Sequence, residues 1–417
     1  ILGMMSCTMG EYGAPCLQAL NTYYGRPDIP VGTIKNDGLD KPSRYNRQLA
    51  TEFPNTMKTA KNAPAAVDLY RKILAQWGFA GLNLGHRVAK TFGLLKPKLP
   101  DATVERPAMK EQVVELVRRP IRVELPKRSF REILRLEDKT QVPIIRNPDK
   151  PKNGDAVFYF PGCGSERLFS DIGLASIAML AETGAQTILP PSYLCCGYPQ
   201  NAAGMEERGT QITTENRVLF HRIANTLNYL DIGTVVVSCG TCMDQLLKYE
   251  FERIFPGCRL LDIHEYLLEK GVKLDGATGR QYLYHDPCHS PMKTHNPLKV
   301  AQELTGSRVE LSDRCCGESG TLGTARPDIA SQLRFRKSEE LLGDISAMTG
   351  KERADESETK LLTSCPACQQ GLAKYADETG LKTDYIVVEM ARQLLGEGWQ
   401  QRFLDKAAQG GIERVLL

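Results

Sequence analysis

Leu194-Cys195-Cys196-Gly197-Tyr198-Pro199 and Asp313-Arg314-Cys315-Cys316-Gly317-Glu318-Ser319-Gly320 decide how this 417-residue chain is read. Each vicinal cysteine pair with its trailing glycine sits inside the same longer pattern. A lone cysteine precedes it, Cys163 in one copy and Cys288 in the other. A Cys-x-x-Cys follows it, Cys239-Gly240-Thr241-Cys242 and Cys365-Pro366-Ala367-Cys368. The gaps are 31 and 42 residues in the first copy and 26 and 48 in the second. Ten of the 13 cysteines fall into the scheme, so the pattern marks an internal duplication.

The flanks of the cysteines repeat as well. Each lone cysteine follows an apolar run and a proline: Phe158-Tyr159-Phe160-Pro161-Gly162-Cys163 and Tyr282-Leu283-Tyr284-His285-Asp286-Pro287-Cys288. Each Cys-x-x-Cys follows a strand-like run closed by serine, Val237-Ser238 and Thr363-Ser364, and opens a helix, Met243 to Glu250 and Gln369 to Ala376. Between these marks the first copy reads as the strand Val157–Phe160, a helix from Glu166 to Thr183, the strand Thr187–Leu189, a long helix from Glu206 to Leu230 and the strand Thr234–Val237. Strands alternating with helices predict a mostly parallel sheet. The fold class is therefore α/β: two tandem Rossmann-like βαβ cysteine-rich repeats, at 154–272 and 273–417, the second ending in C-terminal helices. An α/β fragment (1–76) and a basic linker or arm (77–153) precede them.

Open α/β sheets place their sites on the loops at the carboxyl ends of the strands. Each copy would bring its five sulfurs to that edge. A helix N-terminus beneath each Cys-x-x-Cys favours thiolate, the form that binds metal or attacks a disulfide. Gly197 and Gly317 let the backbone turn tightly beside a bulky centre. Zinc takes four ligands, fewer than the five on offer, and soft thiolates suit iron–sulfur clusters. Zinc in one repeat and a metal-free dithiol pair are the alternatives.

The segments Phe160-Pro161-Gly162-Cys163-Gly164, Leu194 to Pro199, His285-Asp286-Pro287-Cys288-His289 and Asp313 to Gly320 resemble the CCG cysteine-rich domain. That family includes the cysteine-rich subunit of heterodisulfide reductase and the iron–sulfur subunits of glycolate oxidase, lactate utilisation and anaerobic glycerol-3-phosphate dehydrogenase systems. The likeness covers about 155–395, and it is nearest to the C-terminal part of fused flavin/iron–sulfur 2-hydroxyacid oxidoreductases. It implies an electron-transfer module between a flavin dehydrogenase and a quinone, a disulfide or another carrier. It further implies [4Fe–4S] clusters, with a non-cubane form as in heterodisulfide reductase, held by Cys163, Cys195, Cys196, Cys239 and Cys242 and by Cys288, Cys315, Cys316, Cys365 and Cys368. No Cys-x-x-Cys-x-x-Cys-x-x-x-Cys-Pro run and no flavin-binding segment occur in the chain. FAD and ferredoxin-type clusters are therefore expected on a partner or a missing domain. The rival readings are a thiol–disulfide reductase of heterodisulfide reductase type and a zinc-stabilised interaction module without turnover.

Residues 1–76 read differently: a strand (Ile1 to Thr8), a helix (Ala14 to Tyr24), a turn and a helix near Ala65 to Ala75. Tyr23 to Gly32 and Arg44 to Ala50 are similar to the early part of inosine-uridine-type nucleoside hydrolases. The aspartate cluster that binds calcium in that family has no counterpart here, so an inactive remnant in a truncated or chimeric frame is expected, with a genuine but degenerate accessory segment as the alternative. From Trp77 the tract is basic and proline-punctuated, as in Arg118-Arg119-Pro120 and Asn147 to Lys152, and reads as a solvated connector or a docking surface.

Bulk composition sets outer limits. A net charge of +3 argues against nucleic acid. No run of about 18 apolar residues predicts a membrane span, and no basic n-region suggests a signal peptide. Clustered cysteines without an export signal point to the cytoplasm, with peripheral contact at the inner membrane face allowed. Cys7, Cys16 and Cys258 read as plain thiols, and Trp77 and Trp399 as packing residues. His285 and His289 flank Cys288, and loop stabilisation is the plain reading for His289. His289 is a candidate for bonding a cluster sulfur or relaying a proton, and Glu318 and Ser319 are candidates for acid catalysis or for donating to a cluster.

Overall fold

A computed structural model describes residues 76–95, 128–202, 206–275, 279–318 and 327–417, with a few positions between 114 and 126. The hydrolase-like segment, the two helices and strand expected in it, Cys7, Cys16 and Ser319 lie outside the described residues.

Two sheets carry the fold. The first contains β1 (Gln141–Ile145), β2 (Ala156–Phe160), β3 (Gln186–Ile188), β4 (Ile232–Val237), β5 (Arg259–Asp262) and β10 (Ile412–Leu416), ordered β10-β1-β3-β2-β4-β5. The second contains β6 (Gln281–His285), β7 (Val309–Leu311), β8 (Thr359–Thr363) and β9 (Lys382–Tyr385), ordered β7-β6-β8-β9. β3-β2-β4-β5 and β7-β6-β8-β9 share one parallel arrangement: the second strand of each copy lies outside the first, and the third and fourth lie on its other side. The expected tandem βαβ repeats with mostly parallel sheets are what the chain forms. In this order the connections leave in opposite directions after the first strand and before the third, which opens a crevice at their carboxyl ends. Cys163 follows β2 and Cys239 follows β4; Cys288 follows β6 and Cys365 follows β8.

The central strands read as apolar runs because both faces are covered. All five residues of β2 and all five of β8 are buried. Helix Ser170–Glu182 is buried nearly all round, which marks an element enclosed on every side. Its Ile172, Leu174, Ile177 and Leu180 share one core with Tyr282, Tyr284 and Leu362 of the second sheet and with Ile386, Val387 and Met390 of helix Ile386–Leu395. Each such aliphatic side chain contributes about 1.5–3 kcal/mol on burial. The two copies therefore share a core.

The structure departs from the sequence reading in three places. The tract read as a connector to residue 153 contributes β1, which pairs antiparallel with β3. The C-terminal end, expected to be helical, finishes in β10, which returns to the first sheet and pairs antiparallel with β1 in the register Gln141↔Leu416 to Ile145↔Ile412. Trp399 packs in the core as expected, but Trp77 is 76% exposed on helix Gln76–Thr91. No helix among the described residues is long and apolar enough to cross a membrane.

Candidate metal centres

Each lone cysteine is delivered by the end of a first strand. In the first copy the turn after β2 passes through Gly162 at φ +65°, and a Cβ there would stand 2.7 Å from Cys242 Sγ. Only glycine allows the backbone that close to the thiol. Cys239 and Cys365 occupy the same place in the two copies, each with extended backbone as the N-cap of the following helix, Gly240–Leu246 or Pro366–Ala373. The vicinal pairs lie on the loops after β3 and β7, and the glycines behind them take positive φ as expected, +91° at Gly197 and +73° at Gly317.

The five sulfurs of each copy form a chain of neighbours, and among the described residues the donor atoms that all lie within 4.8 Å of one another are those of His285, Cys316 and Cys368. In the first, the Cys195 and Cys242 thiols both hydrogen-bond to the Cys196 sulfur, Cys242 also bonds Cys239, and Cys163 faces Cys196 and Cys239. In the second, contacts run without a break from Cys288 to Cys315, Cys316, Cys368 and Cys365. The charge-bearing sulfurs follow from this. Accepting two thiol hydrogen bonds holds Cys196 and Cys315 well below the ordinary thiol range. The Cys368 thiol brings Cys365 down to about 7. The donors Cys195, Cys242 and Cys368 are pushed up by giving those bonds and by burial, and burial raises Cys163. Neighbouring, mostly buried sulfurs cannot all ionise against one another, and a cation placed among them would reverse the four upward shifts. The first group is the more enclosed. A cavity of about 30 Å³ beside Cys163, Cys196, Cys239 and Cys242 is also lined by Pro366, Ala367 and Gln370 of the second copy. The second group opens to solvent through the exposed Cys288 and the half-exposed Cys315.

Buried hydroxyls brace both groups in the same way. Tyr159 OH lies 2.8 Å from Ser238 Oγ, and Tyr284 OH lies 3.1 Å from Ser364 Oγ. Tyr249 OH donates to the Cys196 carbonyl at 2.9 Å, and Tyr375 OH to the Cys316 carbonyl at 3.1 Å. The sequence reading missed these four tyrosines as supports, although their spacing is regular: a tyrosine four residues before each lone cysteine and seven after each Cys-x-x-Cys.

The two groups also touch through their loops. Tyr385 OH sits 2.8 Å from the Ser238 carbonyl and 2.9 Å from the Ser364 carbonyl, so one hydroxyl reaches the residue ahead of both Cys-x-x-Cys turns. A Cβ at Gly240 would stand 1.6 Å from the His289 carbonyl oxygen, a place where no side chain fits. His289 turns away from its own cysteine towards the first copy. Its Nδ1 donates to the Asp244 carboxylate, and its Nε2 lies 3.2 Å from Tyr198 OH. Glu318 is buried and held by Gln370 Nε2 at 2.9 Å and Lys374 Nζ at 2.5 Å. Cys258 belongs to the apolar cluster that also holds Cys196, Cys239 and Cys242 but not to the five-sulfur set, and burial pushes its thiol up to about 11.

His285 is the residue the sequence reading undervalued. It ends β6, is 1% exposed, and one of its ring nitrogens lies within 4.8 Å of the sulfurs of both Cys316 and Cys368. Burial, with the Lys337 charge nearby, pushes its imidazole down to about 4, so it is neutral near pH 7.

The comparisons agree with this duplication. A family model for a cysteine-rich domain, CCG, matches residues 157–247 and again 282–373, and a domain of unknown function matches 373–417. An uncharacterised iron–sulfur protein of Methanococcus maripaludis is 28% identical over 56% of this chain and 45% of its own length. A fumarate reductase (CoM/CoB) subunit of Methanothermobacter marburgensis is 27% identical over 55% of this chain and 44% of its own. A probable glycolate oxidase iron–sulfur subunit of Bacillus subtilis is 23% identical over 57% of this chain and 54% of its own. The chain thus spans about half the length of these curated relatives.

Proposed function

Starting from a chain that carries two cysteine-rich domains of the CCG family, we propose that it is the iron–sulfur electron-transfer module of an oxidoreductase. One observation carries the proposal: ten cysteines gather into two five-sulfur groups at equivalent strand ends, and the loops of the two groups touch. The donor sets suit iron–sulfur clusters, since they are sulfur-rich, free of carboxylate ligands and partly poised as thiolates. Cys163, Cys195, Cys196, Cys239 and Cys242 would hold one centre, and Cys288, Cys315, Cys316, Cys365 and Cys368 the other, each as a [4Fe–4S] cluster. Bound there, the clusters would take up and give back single electrons.

The polypeptide's own part is to fix the separation of the two centres, keep them dry and leave one end accessible. Tyr385, Gly240 and the His289–Asp244 pair hold the two sets of loops in register, and electron tunnelling falls off exponentially with distance. We place exchange with the outer acceptor, a quinone or a disulfide, at the second group, where Cys288 is exposed. A flavin dehydrogenase acting on a 2-hydroxy acid or glycerol 3-phosphate, with ferredoxin-type clusters, would supply the electrons. Two of the relatives, from the glycolate oxidase and the fumarate reductase, have names consistent with such an assembly.

Iron and acid-labile sulfide analysis of anaerobically purified protein tests the reading. A brown protein with about four irons for each occupied group is expected. Zinc without iron, in a colourless protein, would replace the proposal with a zinc-stabilised module.

A further inference from the structure

The two groups are built alike in sulfur but differ in nitrogen. The last residue of β2 is Phe160, paired with Val237 on β4. The matching residue of β6 is His285, paired with Thr363 on β8. The first group therefore has a phenyl ring where the second has an imidazole.

The hydrogen bonding of that imidazole is unusual among the buried histidines of this chain. Nδ1 lies 3.3 Å from the Ser312 carbonyl, which can only accept, so the proton is on Nδ1 and Nε2 carries a bare lone pair. Nε2 is buried and has no hydrogen-bond partner. The other two buried histidines provide the contrast. His264 gives Nδ1 to Asp262 at 2.6 Å and accepts from the Val387 N–H at Nε2, 3.1 Å away. His289 engages Asp244 and Tyr198. A histidine serving only the fold satisfies both nitrogens, because a buried polar atom without a partner forfeits the hydrogen bond it made to water. A histidine that ligates a metal instead donates one N–H to a carbonyl, which fixes the tautomer, and keeps the other nitrogen for the metal. Its sulfur neighbours, Cys316 and Cys368, are close enough for all three to bind one ion.

We propose that His285 Nε2 is a ligand of the second metal centre, giving that centre a mixed nitrogen–sulfur donor set while the first is held by sulfur alone. The inference rests on the proposal that the second cysteine set binds metal. The Ser312 carbonyl aims the ring, and Ser312 is itself held by Lys337, whose Nζ donates to its carbonyl at 3.0 Å and to its Oγ at 2.8 Å. Lys337 also pairs with Glu340 at 2.7 Å, and Glu340 accepts from the backbone N–H of Arg314 just ahead of Cys315. One network therefore sets both the imidazole and the vicinal cysteines.

The test uses the full chain, purified anaerobically with its metal. His285→Asn keeps an amide N–H for the Ser312 carbonyl and removes the Nε2 lone pair. Metal from the second centre should then be lost to EDTA at least ~10-fold more readily than in the unmodified protein, with the first centre unchanged. Pulsed electron paramagnetic resonance on protein labelled with ¹⁵N-histidine should show a directly bonded nitrogen in the unmodified chain and none in the variant. His285→Cys should restore retention and shift the midpoint potential of that centre to a more negative value. Unchanged retention and an unchanged spectrum in His285→Asn would overturn the assignment. If the variant does not accumulate folded, the labelled unmodified protein decides, and a centre without bonded histidine nitrogen overturns it. Cys316→Ser separates the two levels. If it loses metal while His285→Asn does not, only the nitrogen ligand fails; if neither loses metal, the second cysteine set is not a metal site.

Discussion

Replacing Gly162 by alanine is the sharpest probe of how the backbone approaches the first group. Two costs add. A non-glycine residue at φ +65° carries about 1–2 kcal/mol of left-handed strain. The new methyl would also lie 2.7 Å from Cys242 Sγ, and that sulfur has little room to move because it is bonded to both Cys196 and Cys239. Overpacking of this kind costs about 1–3 kcal/mol, so the total is about 2–5 kcal/mol. Gly271 separates the two terms, since it has φ +71° and a methyl added there would find nothing within 4 Å, leaving strain alone. Urea unfolding should therefore rank unmodified protein above Gly271→Ala and Gly271→Ala above Gly162→Ala. Metal analysis should show loss from the first centre only in Gly162→Ala. Equal destabilisation by the two substitutions, with full metal in both, would refute the claim that close approach of backbone to sulfur shapes this site.

Two further outcomes follow from buried polar contacts. Tyr385→Phe removes the one hydroxyl shared by the Ser238 and Ser364 carbonyls, and a loss of about 1–3 kcal/mol is expected in denaturant unfolding; a change below measurement error would show that the two turns are held by other contacts. The acid limb of stability should depend on Glu389. Burial works to raise its carboxyl, but the hydrogen bond and charge of Lys360, with Arg392, outweigh it, so the folded-state pKa falls below the ordinary 4.5. A depressed carboxylate stabilises the fold above its unfolded pKa, and that contribution disappears as pH falls through the folded value. Glu389→Gln should thus flatten the stability profile below about pH 4.5, the ordinary carboxyl value, while lowering it by at most about 3–5 kcal/mol near neutrality, where buried Lys360 keeps only the longer contact to Asp384 at 3.9 Å. A variant whose acid limb keeps the slope of the unmodified protein would exclude Glu389 as its source.

What the sequence disclosed and what it withheld divide along physical lines. The strands before the lone cysteines were readable because Val157–Phe160 and Tyr282–His285 are short apolar runs stopped by proline. The strands β5 and β9 were not, since Arg259-Leu260-Leu261-Asp262 and Lys382-Thr383-Asp384-Tyr385 are brief and half polar, and only their pairing with β4 and β8 makes them strands. The pairing of β1 with β10 joins residues from distant parts of the chain, and no local pattern encodes it. The cysteine sets were visible because covalent spacing was repeated. The standing of His285 was not, because it depends on which nitrogen the Ser312 carbonyl occupies. The tyrosine supports lay between these cases: the spacing was in the sequence, but the contact with a cysteine carbonyl was visible only once the chain had folded.

The duplication has produced a pair of groups that depend on each other. Glu265, in the first copy, accepts the backbone N–H groups of Thr294 and His295 on the loop that follows Cys288. His289 of the second copy lies against Gly240, and Pro366 of the second copy lies 3.4 Å from where a Cβ of Gly164 would stand. His264 of the first copy accepts from Val387 at the start of a helix in the second. Each loop set is therefore walled by residues of the other copy, and a displacement of one would be passed to its neighbour through buried, fully bonded contacts. On the proposed electron-transfer reading, the same contacts that brace each group also fix the distance between the two centres.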